Sequence, residues 1–85
     1  MNLMVSNLDT YAMLAGRYHP LLTRYALFII KNNDAASVMA TKTLIKLWQQ
    51  RESIYTVECL RTFLRLATKC YCHDWLHEKL MSLRK

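Results

Sequence analysis

The sequence predicts an all-α fold, a compact bundle of three or four helices. One glycine and one proline among 85 residues leave room for few tight turns, which favours long helices. Hydrophobic residues make up 53% of the chain, enough for a packed core and too many for a disordered segment. Apolar residues recur at helical spacing, and no useful stretch alternates with the two-residue period of a strand.

Residues 1–85 are predicted to form a single helical domain, with residues 1–6 as a frayed N-terminus. A chain of this length has one hydrophobic core. A domain this small buries only about 60–65% of its unfolded surface, so its stability is marginal.

The first half of the chain predicts two helices that are nearly continuous. Ser6 and Asp9 have the spacing of a capping box, so a helix should follow them. Pro20 suits the first turn of a second helix, where its missing N–H costs nothing. If the chain stays helical with a kink near His19 and Pro20, the two merge into one. The predicted apolar positions are Leu8, Tyr11, Leu14, Ala15 and Tyr18, then Leu21, Leu22, Tyr25, Ala26, Phe28 and Ile29.

The second half predicts two further helices separated by a loop. Asp34 is the expected N-cap of a helix over residues 35–50, and Thr56 of a helix over residues 57–83. Residues 51–56 form the loop. The apolar face of the third helix is Ala36, Met39, Ala40, Thr43, Leu44 and Leu47. The stripe of the last is Leu60, Phe63, Leu64, Ala67, Cys70, Tyr71 and Asp74.

The charge of the chain favours a polyanionic partner. The formal net charge is +6, and half of the twelve Lys and Arg residues lie in residues 57–85. Such an excess suits nucleic acid or anionic lipid, or serves only solubility. The longest apolar run, residues 25–30, is far too short for a membrane span, and the first residues do not resemble a signal peptide. We therefore expect a cytoplasmic protein with reduced cysteines and no membrane partner.

Two segments, together with residues 18–26 upstream of them, resemble region 2 of bacterial extracytoplasmic-function (ECF) sigma factors, over about residues 8–80. The matching positions of the first are Ala36, Met39, Leu44, Ile45, Lys46, Leu47 and Trp48; those of the second are Phe63, Leu64, Lys69, Cys72, Asp74, Trp75 and Leu76. The resemblance implies a non-enzymatic transcription initiation module that binds the −10 promoter element and RNA polymerase core. The alternative is a region-2 relic that acts as a protein interaction module or regulator without promoter recognition.

The resemblance implies that the outer face of the last helix tracks single-stranded DNA of the −10 region. Basic side chains there would neutralise phosphates and aromatic rings would stack on bases. The other interpretation is a solvated helix face with Trp75 partly packed on the bundle. The predicted DNA-binding residues are Arg61, Arg65, Thr68, Lys69, Cys72, His73, Trp75 and Lys79.

The loop before the last helix has two interpretations of equal weight. In the family the corresponding loop captures a flipped base, which has to recover the free energy of unstacking. The loop could equally be a polar connector. The candidate capture residues are Gln49, Gln50, Arg51, Ser53 and Tyr55.

The third helix carries the predicted polymerase-binding residues Val38, Thr41, Lys42 and Ile45. The family has Asp, Gln and Glu where this chain has Val38, Thr41 and Lys42, so the contacts with the β′ clamp differ in charge. No segment resembles region 4. Two alternatives follow: the chain is a domain of a longer ECF factor, or it works with a separate partner that carries region 4. An anti-sigma factor is a further candidate partner.

Three other features are weaker. Cys70, His73 and His77 share a helix side, but they are too few for a structural zinc site, so we predict no metal, no cofactor and no catalytic residue. Asp74 on a mostly apolar stripe predicts a structural salt bridge to Arg24 or Arg17. A homodimer that uses an apolar surface is a third functional alternative.

Overall fold

The computed structural model describes residues 7–83, which form three α-helices and one 3-10 turn. Helix α1 is Leu8–Ile30, α2 is Asn33–Gln49 and α3 is Val57–Leu83, with the 3-10 helix at Arg51–Ser53. Residues 7–83 contain no strand. The all-α prediction is confirmed, in its three-helix form. The predicted frayed segment, residues 1–6, lies outside the described residues, as does Ser6 of the predicted capping box.

Helix α1 is continuous through Pro20. Its N-cap is Asn7, whose side chain accepts a hydrogen bond from the backbone N–H of Thr10 at 2.8 Å. Pro20 cannot donate to the carbonyl of Gly16, one turn earlier. Both residues are exposed, so water can replace that donor. The merged alternative for the first two predicted helices is therefore the correct one.

A two-residue connection joins α1 to α2. Lys31 has φ 55°, in the left-handed region, and its N–H donates to the carbonyl of Leu27 at 2.8 Å. Asn32 then caps α2 by accepting from the N–H of Ala35 at 3.0 Å. The prediction that Asp34 caps this helix is wrong, because Asn32 has already taken that role. Asp34 lies in the first turn, where its negative charge is favourable beside the helix dipole.

Helix α3 has the predicted bounds. The hydroxyl of Thr56 accepts from the N–H of Cys59 at 3.0 Å, so the predicted cap is confirmed. The helix extends past the core: every residue from 76 to 83 is exposed. In residues 7–83 no helix is long and apolar enough to cross a membrane.

The core consists of two buried clusters stacked along the helices. The larger cluster is Leu22, Ala40, Leu44, Leu47, Ile54, Leu60 and Leu64. The smaller cluster is Ala26, Ile30, Ala36, Met39 and Cys72. All three helices contribute to both, which fixes the side of α3 that faces solvent.

Candidate nucleic-acid interface

The solvent side of α3 carries a row of basic residues. Arg61, Arg65, Lys69 and His73 are each four residues apart and all are exposed. Four residues of helix rise about 6 Å, and side chains at this spacing are neighbours on one face. The placement of these four on the outer face of α3 agrees with the prediction. We call them the α3 basic row.

Two of the predicted DNA-binding residues are instead in the core. Thr68 and Cys72 have 0% exposure, so their placement on the outer face is wrong. The buried face of α3 follows Leu60, Leu64, Thr68 and Cys72, each four residues after the last. That face is rotated away from the predicted stripe, and it leaves no surface of Thr68 or Cys72 for DNA.

The same rotation exposes two residues that were predicted to be buried. Asp74 is exposed, so it is not the buried acid for which a salt bridge to Arg24 or Arg17 was predicted. Cys70 is also exposed, and Cys72 is the core cysteine. Burial raises the pKa of the Cys72 thiol because the thiolate would lose its hydration. Cys72 therefore stays a neutral thiol, which is a poor nucleophile and a poor metal ligand.

Trp75 and Lys79 lie off the α3 basic row, because residues two or six positions beyond His73 do not share its helix face. Trp75 is half-buried against the smaller core cluster. The Nζ atom of Lys79 lies 5.3 Å from the centroid of the Trp75 ring, within the range of a cation–π contact. Lys79 therefore occupies one face of the Trp75 ring, and a base that stacks on that face has to displace Lys79.

Four of the five predicted base-capture residues are exposed, and the fifth, Arg51, makes contacts with Trp48. Gln49, Gln50, Ser53 and Tyr55 are exposed. Arg51 is half-buried: its Nη1 donates to the carbonyl of Trp48 at 2.7 Å, and its guanidinium carbon lies 4.0 Å from the centroid of the Trp48 ring.

A hollow beside this loop is mostly apolar. It has a volume of about 440 Å³ between the loop and the start of α3. Only Ser53 of the five predicted capture residues lines it; the other lining residues are Ile54, Glu58, Cys59, Thr62 and Phe63. The predicted capture residues therefore do not share this hollow, and base capture by the loop stays a prediction.

The predicted polymerase-binding residues share an exposed face of α2. Val38 is 49% exposed and Ile45 52% exposed, with Thr41 and Lys42 between them. The Thr41 hydroxyl donates to the carbonyl of Ser37 at 3.0 Å. It also lies 3.2 Å from Nε2 of His19 on α1, which ties this face to α1.

Sequence reasoning missed a groove between α1 and α3. Its volume is about 460 Å³. Arg61 and Arg65 of the α3 basic row line one side, and α1 supplies Arg17, Tyr18 and Tyr25 on the other. Leu21, Leu22 and Leu64 complete the lining. The signal in the sequence was the seven-residue spacing of Tyr18 and Tyr25, which places both rings on one helix face with Arg17 beside them.

The His, Cys, Asp and Glu side chains do not form a metal site in the part of the chain that the structure describes. Nowhere in residues 7–83 do three of them come close enough to hold an ion. The candidate interface consists of the α3 basic row and the groove. Both present cationic side chains, so both favour an anionic ligand.

Comparison with known proteins finds no relative. The sequence matches no protein-family model, and neither curated proteins nor solved structures give a significant match. The resemblance to sigma region 2 therefore stays a prediction, and the function has to be argued from the site.

Proposed function

We propose that this chain is a non-enzymatic nucleic-acid-binding module of the sigma-region-2 kind, which binds single-stranded DNA of the −10 promoter element and RNA polymerase. The observation that carries the proposal is the α3 basic row, exposed along three helical turns. A cytoplasmic location belongs to this proposal, because the polymerase and its DNA are there in bacteria.

The chemistry of the row suits a nucleic-acid backbone. Arg61, Arg65 and Lys69 are exposed and extend over about 12 Å of helix. Each cation that pairs with a phosphate releases condensed counterions, so binding should weaken steeply as salt rises. The acids of α3 nearest to these three cations are Glu58 and Asp74, one on either side of the row.

The experiment is binding of a fluorescent single strand that contains a −10-like sequence, measured by anisotropy at several salt concentrations. Lys69→Glu should weaken binding at least fivefold and lower the salt slope by about 0.7 for one lost phosphate contact. Lys46→Glu is the matched control, since Lys46 is exposed on α2 and the change in net charge is the same. It should change affinity less than twofold.

Two results would count against the proposal. Equal losses in Lys69→Glu and Lys46→Glu would mean that only the net charge attracts the strand. Equal affinity for the −10-like strand and a scrambled strand of the same composition would remove promoter recognition and leave unspecific binding.

A second candidate, a protein interaction module, is favoured by the exposed face of α2. Val38 and Ile45 are apolar and half-exposed, one on each side of Thr41 and Lys42. Exposed apolar side chains grouped on one face are typical of a protein contact. The partner would be the polymerase clamp in a sigma-like module, or another regulator, such as an anti-sigma factor or a chain with region 4, in a region-2 relic.

Binding to a β′ clamp peptide distinguishes these alternatives. Lys42→Glu restores the acid that the family resemblance implies at this position. In a sigma-like module it should strengthen clamp binding, because a repulsive charge becomes an attractive one. Ile45→Lys should abolish the contact. A protein that binds neither the clamp peptide nor single-stranded DNA would contradict the sigma-like function.

A further inference from the structure

The groove between α1 and α3 combines three guanidinium groups with two aromatic rings. Arg17 reaches it from α1, and Arg61 and Arg65 reach it from consecutive turns of α3. No acidic side chain lines it. Within residues 7–83, none of these three arginines takes part in a side-chain hydrogen bond of the fold. Among residues 7–83, the fold therefore leaves their N–H donors to solvent or to a ligand.

Guanidinium groups on both walls of a groove favour a phosphate. Each presents a planar fork of N–H donors that pairs with two phosphate oxygens at once. Arginines on both α1 and α3 can approach one phosphate from two sides. A single helix face such as the α3 basic row offers a phosphate only one side.

The apolar part of the groove favours a planar ring beside that phosphate. Tyr18 and Tyr25 are half-buried and two helical turns apart, and Tyr18 packs against the larger core cluster. A ring that is held by the core is a fixed platform, and bases stack on such platforms whatever their sequence. Leu21 and Leu64 extend the apolar surface along the groove.

The dimensions agree with a small ligand of this type. Pockets for small molecules usually measure about 300–1,000 Å³, and this groove has about 460 Å³. Inorganic phosphate alone would leave the tyrosines and leucines uncovered. A purely apolar ligand would leave three cations without a partner.

We propose that the α1–α3 groove is a nucleotide site, in which Arg17, Arg61 and Arg65 bind the phosphate and Tyr18 or Tyr25 stacks on the base. The nucleotide is either free or one unit of a bound single strand. The proposal goes beyond strand binding on the α3 basic row, because Arg17, Tyr18 and Tyr25 are not part of that row.

Calorimetric titration with dTMP and AMP tests the site, with inorganic phosphate and deoxyribose 5-phosphate as probes without a base. We expect saturable binding of a nucleotide at least tenfold tighter than that of either base-free probe. Arg17→Gln should weaken nucleotide binding at least fivefold. Arg24→Gln is the matched control, an exposed arginine of the same helix outside the groove, and it should change binding less than twofold.

Tyr18→Leu and Tyr25→Leu test the base contact. The substitution that removes the stacking ring should weaken dTMP binding and leave the weak binding of inorganic phosphate unchanged, and dTMP binding that neither substitution weakens would contradict the base contact. If these variants unfold at a lower temperature, the Arg17→Gln and Arg24→Gln pair still tests the site, since both arginines are exposed. Equal effects of that pair, or equal affinities for dTMP and inorganic phosphate, would overturn the proposal.

Competition with an octathymidylate strand identifies the source of the nucleotide. Displacement of dTMP by the strand assigns the groove to a unit of the strand. Simultaneous binding of both assigns it to a free nucleotide, and both results support the site. Lys69→Glu separates the two proposals: it should weaken strand binding on the α3 basic row and leave dTMP binding unchanged.

Discussion

The hydroxyl groups of Thr43 on α2 and Thr68 on α3 lie 2.9 Å apart in the core, and neither side chain has any exposed surface. Thr43 donates its only hydroxyl proton to the carbonyl of Met39 at 2.9 Å. Thr68 is therefore the donor and Thr43 the acceptor of the bond between the helices. Loss of the Thr43 hydroxyl and loss of the Thr68 hydroxyl should therefore have different effects on stability, although the two side chains are chemically identical.

Replacement by valine should reveal that inequality. Thr43→Val leaves the Thr68 hydroxyl buried without its acceptor, and a buried group in that state costs about 1–3 kcal/mol. Thr68→Val leaves the Thr43 hydroxyl bonded to Met39, so it should cost less than about 1 kcal/mol.

Urea denaturation of both variants and of the double variant measures the three losses. The double variant should be close to Thr68→Val, because no hydroxyl is then left without a partner. If Thr43→Val is no less stable than Thr68→Val, the assigned direction of the bond is wrong.

The sequence predicts the bounds of α3 correctly, but it does not predict which side of α3 faces the core. The pair of Thr43 and Thr68 shows why. The cap at Thr56 and the apolar spacing are local, so the sequence predicts where α3 begins and ends. After Leu64, the stripe can continue through Ala67 and Cys70 or through Thr68 and Cys72. The hydroxyl of Thr68 has its hydrogen-bond partner in the core in Thr43, 25 residues earlier. Packing of α2 against α3 brings these two residues together, and the local sequence around Thr68 does not show it.

The sequence likewise predicts one part of the candidate site, the α3 basic row, and does not predict the other, the groove between α1 and α3. Arg61, Arg65 and Lys69 follow from the spacing of charges on one helix, and the sequence predicts their exposure. The groove needs Arg17 and Tyr25 of α1 beside Arg61 of α3, which depends on how two helices cross. No pattern within a single helix contains that information.

The contact between Arg51 and Trp48 gives a second prediction. Arg51→Ala removes a charged hydrogen bond to the Trp48 carbonyl and a cation–π contact, so it should destabilise the fold by about 1–2 kcal/mol. Arg51→Lys should recover little of the loss, because an ammonium group lacks the planar fork.

Thermal unfolding with tryptophan fluorescence measures both Arg51 variants. Arg24→Ala, at an exposed position of α1, is the control and should fall within about 0.5 kcal/mol of the wild type. Wild-type stability in Arg51→Ala would mean that Arg51 is free to act in the loop.

The three cysteines should react at two very different rates. Cys59 and Cys70 are exposed, and Cys72 is fully buried with a raised pKa. The thiolate is the form that attacks a disulfide reagent. Titration with Ellman's reagent at pH 8 should therefore give two fast thiols and a third that reacts only as the protein unfolds.

Single Cys→Ser variants show which cysteine reacts fast and which reacts slowly with Ellman's reagent. Cys59→Ser and Cys70→Ser should each remove one fast equivalent. Cys72→Ser should remove the slow one and destabilise the fold, because a hydroxyl in that apolar cluster lacks the partner that Thr68 has. Three equally fast thiols in the folded protein would show that the orientation of α3 is wrong.

Tyr11 should make stability depend on alkaline pH. Its hydroxyl donates to the carbonyl of Leu44 on α2 at 2.7 Å, and its ring centroid lies 5.0 Å from that of Trp48. Burial raises the pKa of Tyr11, because the phenolate would lose hydration. Above the ordinary tyrosine pKa of about 10, the folded state holds more protons than the unfolded state, so stability falls as pH rises towards the folded pKa.

Tyr11→Phe isolates this contribution. At neutral pH the variant should be less stable than the wild type by about 1 kcal/mol, the value of one hydrogen bond. Cys72 titrates in both proteins, so its effect cancels in their difference. Urea denaturation from about pH 8 to pH 11 should show that difference shrinking as pH passes about 10, because the wild type loses the protonated donor. A difference that stays constant across this range would mean that the Tyr11 hydroxyl does not bond to Leu44.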